Sequence, residues 1–594
     1  MAKIKLSDYI AKRLKEIYNI PLFFMISGGG AMHLNDSLGR YIPYICNHNE
    51  QACAIAAEGY ARVSQKLAVV NVTTGPGGLN CLNGVFGQWT DSVPVLYISG
   101  QVKYSTTMDS CKDIPLRQLG DQEVDIISVV KPLTKYAVMV TKPEEIKYHL
   151  DRAIHEATTG RKGPVWLDIP INVQSALIDE KDLIDFDIAC KAAPSAKECK
   201  TDEILKRIET AKRPLIIAGH GIRLSGMKDT FLKLIKKLNI PVVTTFNGID
   251  LLPSDFPNCI GRIGTIGQRA ANFALQNADL VLCLGTRNNI RQVSYNWENF
   301  AKKAFKIMVD IDAAELQKPL VKPDMAINAD LEDFLPLLET EAKNIEKKEW
   351  LEFCKNLKTK YSFKNTPEYI QNGEKINVYH FIHRLTELLK EKDVCVTANG
   401  TAIVASVQTA VIKENQRYFS NSGDASMGYD LPAAIGACLA NNKKSTVCLA
   451  GDGSIMMNLQ ELQTIVHNNL PVKIFIINND GYSSIKQTQN NFFEGRNTGA
   501  GRTSGVSLPD FVKVGQAFGI ESFKLEKPDE VDNAIEKTLN SSNPVICEVL
   551  VNPDYIFSPK LSSKKLPDGT MVSPSLENMY PFLPEDEYKS NMLQ

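Results

Sequence analysis

Residues 451–484 read GDGSIMMNLQELQTIVHNNLPVKIFIINNDGYSS, with Asp452 pinched between Gly451 and Gly453 and the pair Asn478–Asn479 closing the next apolar run. Glycines let a backbone turn sharply and approach a ligand closely. Free amides at a helix start draw in phosphate, but an aspartate in the same turn repels it unless a cation lies between. Magnesium suits that position, because this hard ion accepts carboxylate, amide, carbonyl and phosphate oxygens in octahedral geometry. Asp452, Asn479 and the Gly481 carbonyl therefore form a candidate metal set. Gly451, Gly453, Ser454, Tyr482 and Ser484 lie around a candidate diphosphate site. Alone, GDG is a tight turn and NND a strand-end cap. Their separation by 24 residues, enough for one helix and one strand, gives the pair its meaning. Ile455, Leu459, Leu462 and Val466 predict an apolar helical face across the gap.

The elements that must carry these residues are visible as short apolar runs, among them LAVVNVTTGPG, VPVLYISG, PLIIAGHG, LVLCLG, STVCLAGDG and KIFIINN, alternating with helical patterns. Such runs predict parallel strands covered on both faces, and ligands of open parallel sheets sit beyond the strands' carboxyl ends. The strands fall into three groups, predicting three doubly wound α/β domains at residues 1–185, 195–345 and 375–555, followed by a Pro- and Ser-rich tail, 556–594. The stretch DIACKAAPSAKECKTDE reads as a linker, and NIEKKEWLEFCKNLKTKYSFKN as a solvated connecting helix. A net charge of -1 argues against nucleic acid or anionic membrane as a partner. The 13 cysteines lack any CxxC pair and mostly sit in apolar company, the pattern of thiols in a reducing compartment. No signal-peptide core or membrane-length apolar run is present, so the expectation is a soluble cytoplasmic protein.

A second constellation lies near the N-terminus. Glu50, in YICNHNEQACAIAAEGYAR, follows a strand and opens a helix of small residues; Glu58, further along, reads as structural. One strand later, NVTTGPGGLN offers Thr74, Pro76, Gly77 and Asn80 in a loop suited to a flat ring, with Gln88 beyond. The GDG–NN pair is a thiamine diphosphate fingerprint, and that cofactor needs a glutamate at its pyrimidine ring to promote the imino tautomer that takes the thiazolium proton.

At these residues the sequence resembles the catalytic subunit of acetohydroxyacid (acetolactate) synthase and its relatives. The shared motifs are NEQACAIAAEGYAR, TTGPGGLN, SVPVLYISGQV, SMGYDLPAAIGA and GDGSIMMNLQEL, in order through all three domains. The resemblance implies a first domain that binds the pyrimidine, a third that binds the diphosphate, and a middle one that carries FAD in a structural role. It implies a homodimer or homotetramer whose sites draw on two subunits, with pyruvate as two-carbon donor. It further implies that Met427 bends the cofactor, that Asn399 and Gly400 lie near the diphosphate, and that Glu50 and Gln122 face the reacting centre. Gly30 and Arg291 would serve the substrate, Arg291 engaging an acceptor carboxylate. For FAD the resemblance points to Gly219, Thr245, Gly264, Arg287, Asp310 and Asp312. Two departures concern the acceptor: Asp121 and Thr488 stand where the family carries a phenylalanine and a tryptophan. A wider, more polar mouth favours a hydroxylated acceptor, so either a second 2-keto acid or a nucleotide-linked keto sugar remains open. The alternatives are a simple 2-keto acid decarboxylase, a thiamine-dependent hydrolase, or a non-catalytic paralogue that binds the cofactor. A nicotinamide dehydrogenase is set aside, because no GxGxxG opens a helix with a ribose-binding acid at the usual distance.

Overall fold

The computed structural model describes residues 3–187, 194–565 and 567–593. Much of the predicted linker, residues 188–193, lies outside the described residues. Three six-stranded sheets, all parallel, each occupy one of the three segments read from the sequence. The first runs Tyr44–Cys46, Phe23–Met25, Ala68–Val72, Val95–Gln101, Val165–Pro170, Tyr136–Met139. The third runs Arg417–Phe419, Val394–Thr397, Thr446–Gly451, Val472–Asn478, Val545–Leu550, Glu521–Leu525. Numbered by sequence, both have the spatial order 2-1-3-4-6-5, so the chain reverses direction between strands one and three in each. The middle sheet instead runs Cys259–Arg262, Val242–Thr244, Pro214–Ala218, Leu280–Leu284, Phe305–Asp310, Met325–Asn328, the order 3-2-1-4-5-6. That is the dinucleotide-type arrangement, with its crevice between strands one and four.

Central strands such as Val95–Gln101 and Thr446–Gly451 are buried almost end to end. Helices on both faces remove their side chains from water, at about 1.5–3 kcal/mol for each large aliphatic residue. The first and third domains are joined by the helices Glu50–Ser64 and Asp430–Ala440. A Cβ at Gly59 would lie 2.1 Å from the Ala433 carbonyl, and one at Gly436 only 1.8 Å from that of Ala56. Small residues let the two backbones touch. Glu58 is fully buried at this junction and pairs with Arg62 at 2.8 Å; Arg62 also reaches Asp91 at 2.6 Å. Burial lifts the Glu58 carboxyl to about 7.

Two expectations need correction. The connecting segment forms the helix Lys348–Lys360, but it is not merely solvated: Trp350, Cys354 and Leu357 are buried against the middle domain, and the Trp350 indole donates to the Pro214 carbonyl at 2.9 Å. The stretch after Asp452 is not one helix. It breaks into Asp452–Ile455, a tight turn at Met456–Asn458, and Glu461–His467.

The tail wraps the middle domain. Asn272, on helix Arg269–Asn277, donates to the Leu576 carbonyl at 3.1 Å, Gln276 to Glu577 at 2.8 Å, and Asn277 to the Asn591 carbonyl at 2.8 Å. Among the described residues all twelve cysteines are free and ten are buried. No helix among the described residues is long and apolar enough to cross a membrane.

Candidate active site

Asp452 stands just past the strand Thr446–Gly451, at the crossover of the third sheet, and is 3 % exposed. Its Oδ1 accepts from the Gly453 N–H at 2.7 Å, and its Oδ2 from those of Asn479 and Gly481, each at 3.0 Å. The carboxylate thus stitches two neighbouring strand ends together. Gly481, at φ +117°, occupies backbone space that favours glycine, and a Cβ there would lie 2.6 Å from the Ala500 carbonyl. Asn479 donates its amide N–H to Thr401 Oγ1 at 2.9 Å, and Thr401 also accepts from the Tyr555 hydroxyl at 2.6 Å. This arrangement turns Asn479 Oδ1 the other way, where it is buried and has no partner. A buried acceptor left unmet costs free energy; a hard cation beside Asp452 meets the need. One carboxylate, one amide oxygen and one main-chain carbonyl are the donors such an ion takes while it also holds phosphate oxygens. The residues present therefore fit a magnesium–diphosphate group. Asn478 is not part of the set, because its amide donates to Glu548 at 2.7 Å.

Burial lifts the Asp452 carboxyl to about 6, against the N–H donors of Gly481, Gly453 and Asn479, which pull it down. A carboxyl raised on folding withdraws stability as pH climbs from the ordinary aspartate range to its folded value, and above that the chain carries the full cost of a buried charge. A cation offsets this cost only where the proton has left. Magnesium affinity is therefore expected to rise with pH through about 6. Calorimetric titrations on either side of that value check it, and equal affinities at both would contradict it.

Other predicted residues gather around this centre. A Cβ on Gly453 would fall 2.3 Å from the Tyr482 ring and 3.3 Å from Met427 Cε, so both side chains crowd the glycine pinch. Ser454 Oγ accepts from the Gly428 N–H at 2.9 Å, fixing the turn after Met427. Gly400, at φ +74°, faces Ser484. Asn399 braces the preceding loop by donating to Asn421 Oδ1 at 2.7 Å and to the Ser426 carbonyl at 2.8 Å. Thr488 is exposed on the helix Ser483–Phe492, its hydroxyl returned to the Ser484 carbonyl.

The N-terminal constellation forms a second centre, at the crossover of the first sheet. Glu50 is the first residue of its helix, capped by Asn49, and its Oε2 accepts from the Asn80 amide at 2.9 Å. Gly77 lies beside Glu50 Oε1, 3.6 Å from a would-be Cβ. Pro76 begins the short helix Pro76–Asn80. Thr74 Oγ1 donates to the Gly100 carbonyl at 3.0 Å and would meet a Cβ on Gly30 at 1.9 Å. Gly75, at φ +61°, packs against the Gln122 carbonyl, 1.9 Å from a would-be Cβ, which brings Gln122 and the exposed Asp121 to the same rim. Gln88 does not join them. Its amide donates to the Ala54 carbonyl at 2.9 Å and accepts from Tyr97 at 2.8 Å, so both ends are engaged inside the first domain.

In the middle domain a cavity of about 390 Å3 opens at the crevice the sheet order defines, with walls from all three domains. Thr245, Arg287 and Asp310 line it. Gly219 does not, but it allows the turn to close on Gly285, whose carbonyl would lie 2.1 Å from a Cβ there. Gly264 packs on Phe246, and Asp312 is taken by Arg161 at 2.8 Å. Arg291 is exposed and pairs with no carboxylate among the described residues; its carbonyl accepts from Thr265. Thr401, Tyr555 and the buried Asp430, whose Oδ2 accepts from the Gly451 N–H at 3.4 Å, escaped the sequence reading because their partners lie far along the chain.

Models of the thiamine pyrophosphate enzymes match over residues 4–129 (N-terminal TPP binding domain), 201–338 (central domain) and 398–549 (C-terminal TPP binding domain). The chain thus carries the three domains of a thiamine pyrophosphate enzyme, in their order. Among curated relatives, the acetolactate synthase isozyme 2 large subunit of Escherichia coli (strain K12) is 30% identical over 96% of this chain and 96% of its own length. The acetolactate synthase large subunit of Lactococcus lactis is 32% identical over 93% and 94%, and acetolactate synthase 1 of Zea mays, a chloroplastic protein, 33% over 89% and 82%. The chain belongs to the acetolactate synthase-like thiamine diphosphate enzymes.

Proposed function

We propose that this chain is a magnesium-dependent carboligase that decarboxylates pyruvate and passes the two-carbon unit to an acceptor carbonyl, either a second 2-keto acid or a keto sugar. The observation that carries the reading is the unpartnered Asn479 Oδ1 beside the buried Asp452. When bound, thiamine diphosphate supplies the electron sink that a 2-keto acid needs to lose carbon dioxide. Asp452, Asn479 and the Gly481 carbonyl would grip its metal, and Gly451, Gly453 and Ser454 would admit the diphosphate. Glu50, steadied by Asn80, would accept the hydrogen bond from the pyrimidine ring. Gln122, on the same rim as Glu50, would orient the carbonyl groups, and Arg291 would attract an acceptor carboxylate.

Glu50 and Asp452 are not joined by any hydrogen bond among the described residues, and a second copy of the chain would bring them face to face. Apolar side chains exposed beside each support this: Leu79 (38 %) and Phe86 (39 %) on the first domain, Met457 (46 %) and Ile485 (47 %) on the third. FAD would occupy the middle-domain cavity, where the backbone turn at Gly221 fits a nucleotide and the lining residues Lys162 and Arg287 would meet its phosphates. The exposed, polar Asp121 and Thr488 favour an acceptor bearing hydroxyl groups.

The test supplies purified protein with thiamine diphosphate, magnesium, pyruvate and a panel of keto acids and keto sugars, with products read by mass spectrometry. A coupled product two carbons longer than its acceptor is expected, from a protein that is yellow with bound flavin. Free aldehyde without coupled product would contradict the carboligase reading.

A further inference from the structure

The loop that presents Glu50 is held by the other cofactor domain. Asn47 N–H reaches the Met25 carbonyl at 3.2 Å, within its own sheet. The other two ties go to Glu461, at the start of helix Glu461–His467 in the third domain: Asn47 Nδ2 donates to its Oε2 and the His48 N–H to its Oε1, each at 2.8 Å. Thr464 Oγ1 donates to the same carboxylate at 2.7 Å. Glu461 is 0 % exposed and no lysine, arginine or histidine pairs with it among the described residues. A buried carboxylate without a cation is costly and persists only when its donors are well placed. Packing alone does not explain it, since an apolar side chain would fill the same space more cheaply. Two donors in successive residues, from the loop that ends at Glu50, make a directional clamp. Nine residues upstream on the same segment stands Asp452, so one stretch of chain grips the metal at one end and the activating loop at the other.

We infer that Glu461 is a positioning residue, setting the Asn47–Glu50 turn so that the Glu50 carboxylate meets the pyrimidine ring. The inference rests on the thiamine reading of Glu50. Glu461→Ala removes both ties. Glu461→Gln can keep them, because the Gln carbonyl accepts from His48 and its amide can donate to Asn47 Oδ1, which is buried and unpartnered.

Full-length wild type, Glu461→Ala, Glu461→Gln and Asn47→Ala are compared in three ways. Amide hydrogen exchange of the peptide spanning His48–Glu50 is followed in cofactor-free protein. Calorimetry gives the affinity for thiamine diphosphate with magnesium. Proton NMR follows exchange of the bound cofactor's thiazolium proton with deuterium. In Glu461→Ala the loop should lose protection and thiazolium exchange should slow about 10- to 100-fold, the scale expected for small misplacement of a reacting group, with cofactor affinity near wild type. Glu461→Gln should recover most of the rate. Asn47→Ala, which leaves the His48 tie, should be slowed less; it carries the test if Glu461→Ala fails to fold. Wild-type thiazolium exchange in Glu461→Ala, or in Asn47→Ala should that be the only folded variant, would overturn the role of Glu461. A wild-type chain that exchanges no thiazolium proton would instead refute the thiamine reading of Glu50 itself.

Discussion

Glu50→Gln is expected to lower pyruvate-dependent carbon dioxide release by about 10²- to 10⁴-fold, the usual worth of a positioned proton-transfer group, while the protein stays folded and still binds its cofactor. Glutamine has the same shape, keeps the helix-opening position and can still meet the Asn80 amide, so packing is preserved. It cannot share a proton with the pyrimidine. Because the metal grip lies in another domain, cofactor affinity should change little. Glu58→Gln, on the same helix, is an informative contrast: it should act through stability, since Glu58 pairs with Arg62 at the domain junction. Initial-rate measurements of carbon dioxide release check both. Near-normal turnover in Glu50→Gln would remove Glu50 from the chemistry.

Asn479→Ala should weaken the magnesium–thiamine diphosphate complex by about 100-fold or more, beyond the loss that supporting groups around a metal usually cause. The neighbouring Asn478→Ala should leave it near wild type. The two residues are adjacent and identical, so composition and propensity cancel between the variants. Only geometry separates them: Asn478 is turned to Glu548, whereas the Asn479 amide oxygen, next to Asp452, is buried with no partner. Asp452→Ala should match Asn479→Ala in affinity and also loosen the two strand ends, because three N–H groups lose their acceptor. Calorimetric titration separates these outcomes, and equal losses at positions 478 and 479 would contradict the metal assignment.

Much of this was legible from local pattern. Parallel strands buried on both faces are written as unbroken apolar runs, so VLYISG and KIFIINN fall where strands are found. The proposed metal set could be named from sequence because its parts end two neighbouring strands, and the chemistry of a hard cation constrains the residue types. What the motifs did not show is set by contacts outside them. Gln88 sits next to a ring-binding loop, but Ala54 and Tyr97 claim its amide. The helical spacing of Ile455, Leu459, Leu462 and Val466 hides the turn at Met456–Asn458, since a kinked path can bury the same positions. Thr401 and Tyr555 orient Asn479 from 78 and 76 residues away in the chain, and no short motif ties them together. Nor does any local signal give the different strand order of the middle sheet, which is decided by how its helices cross over.

The most direct test is a crystal structure of the chain grown with thiamine diphosphate and manganese, the latter located by its anomalous scattering. One metal is expected, ligated by the Asp452 carboxylate, Asn479 Oδ1 and the Gly481 carbonyl, with the pyrimidine ring against Glu50 of a neighbouring copy. A metal elsewhere, or a ring that Glu50 from any copy fails to reach, would contradict it.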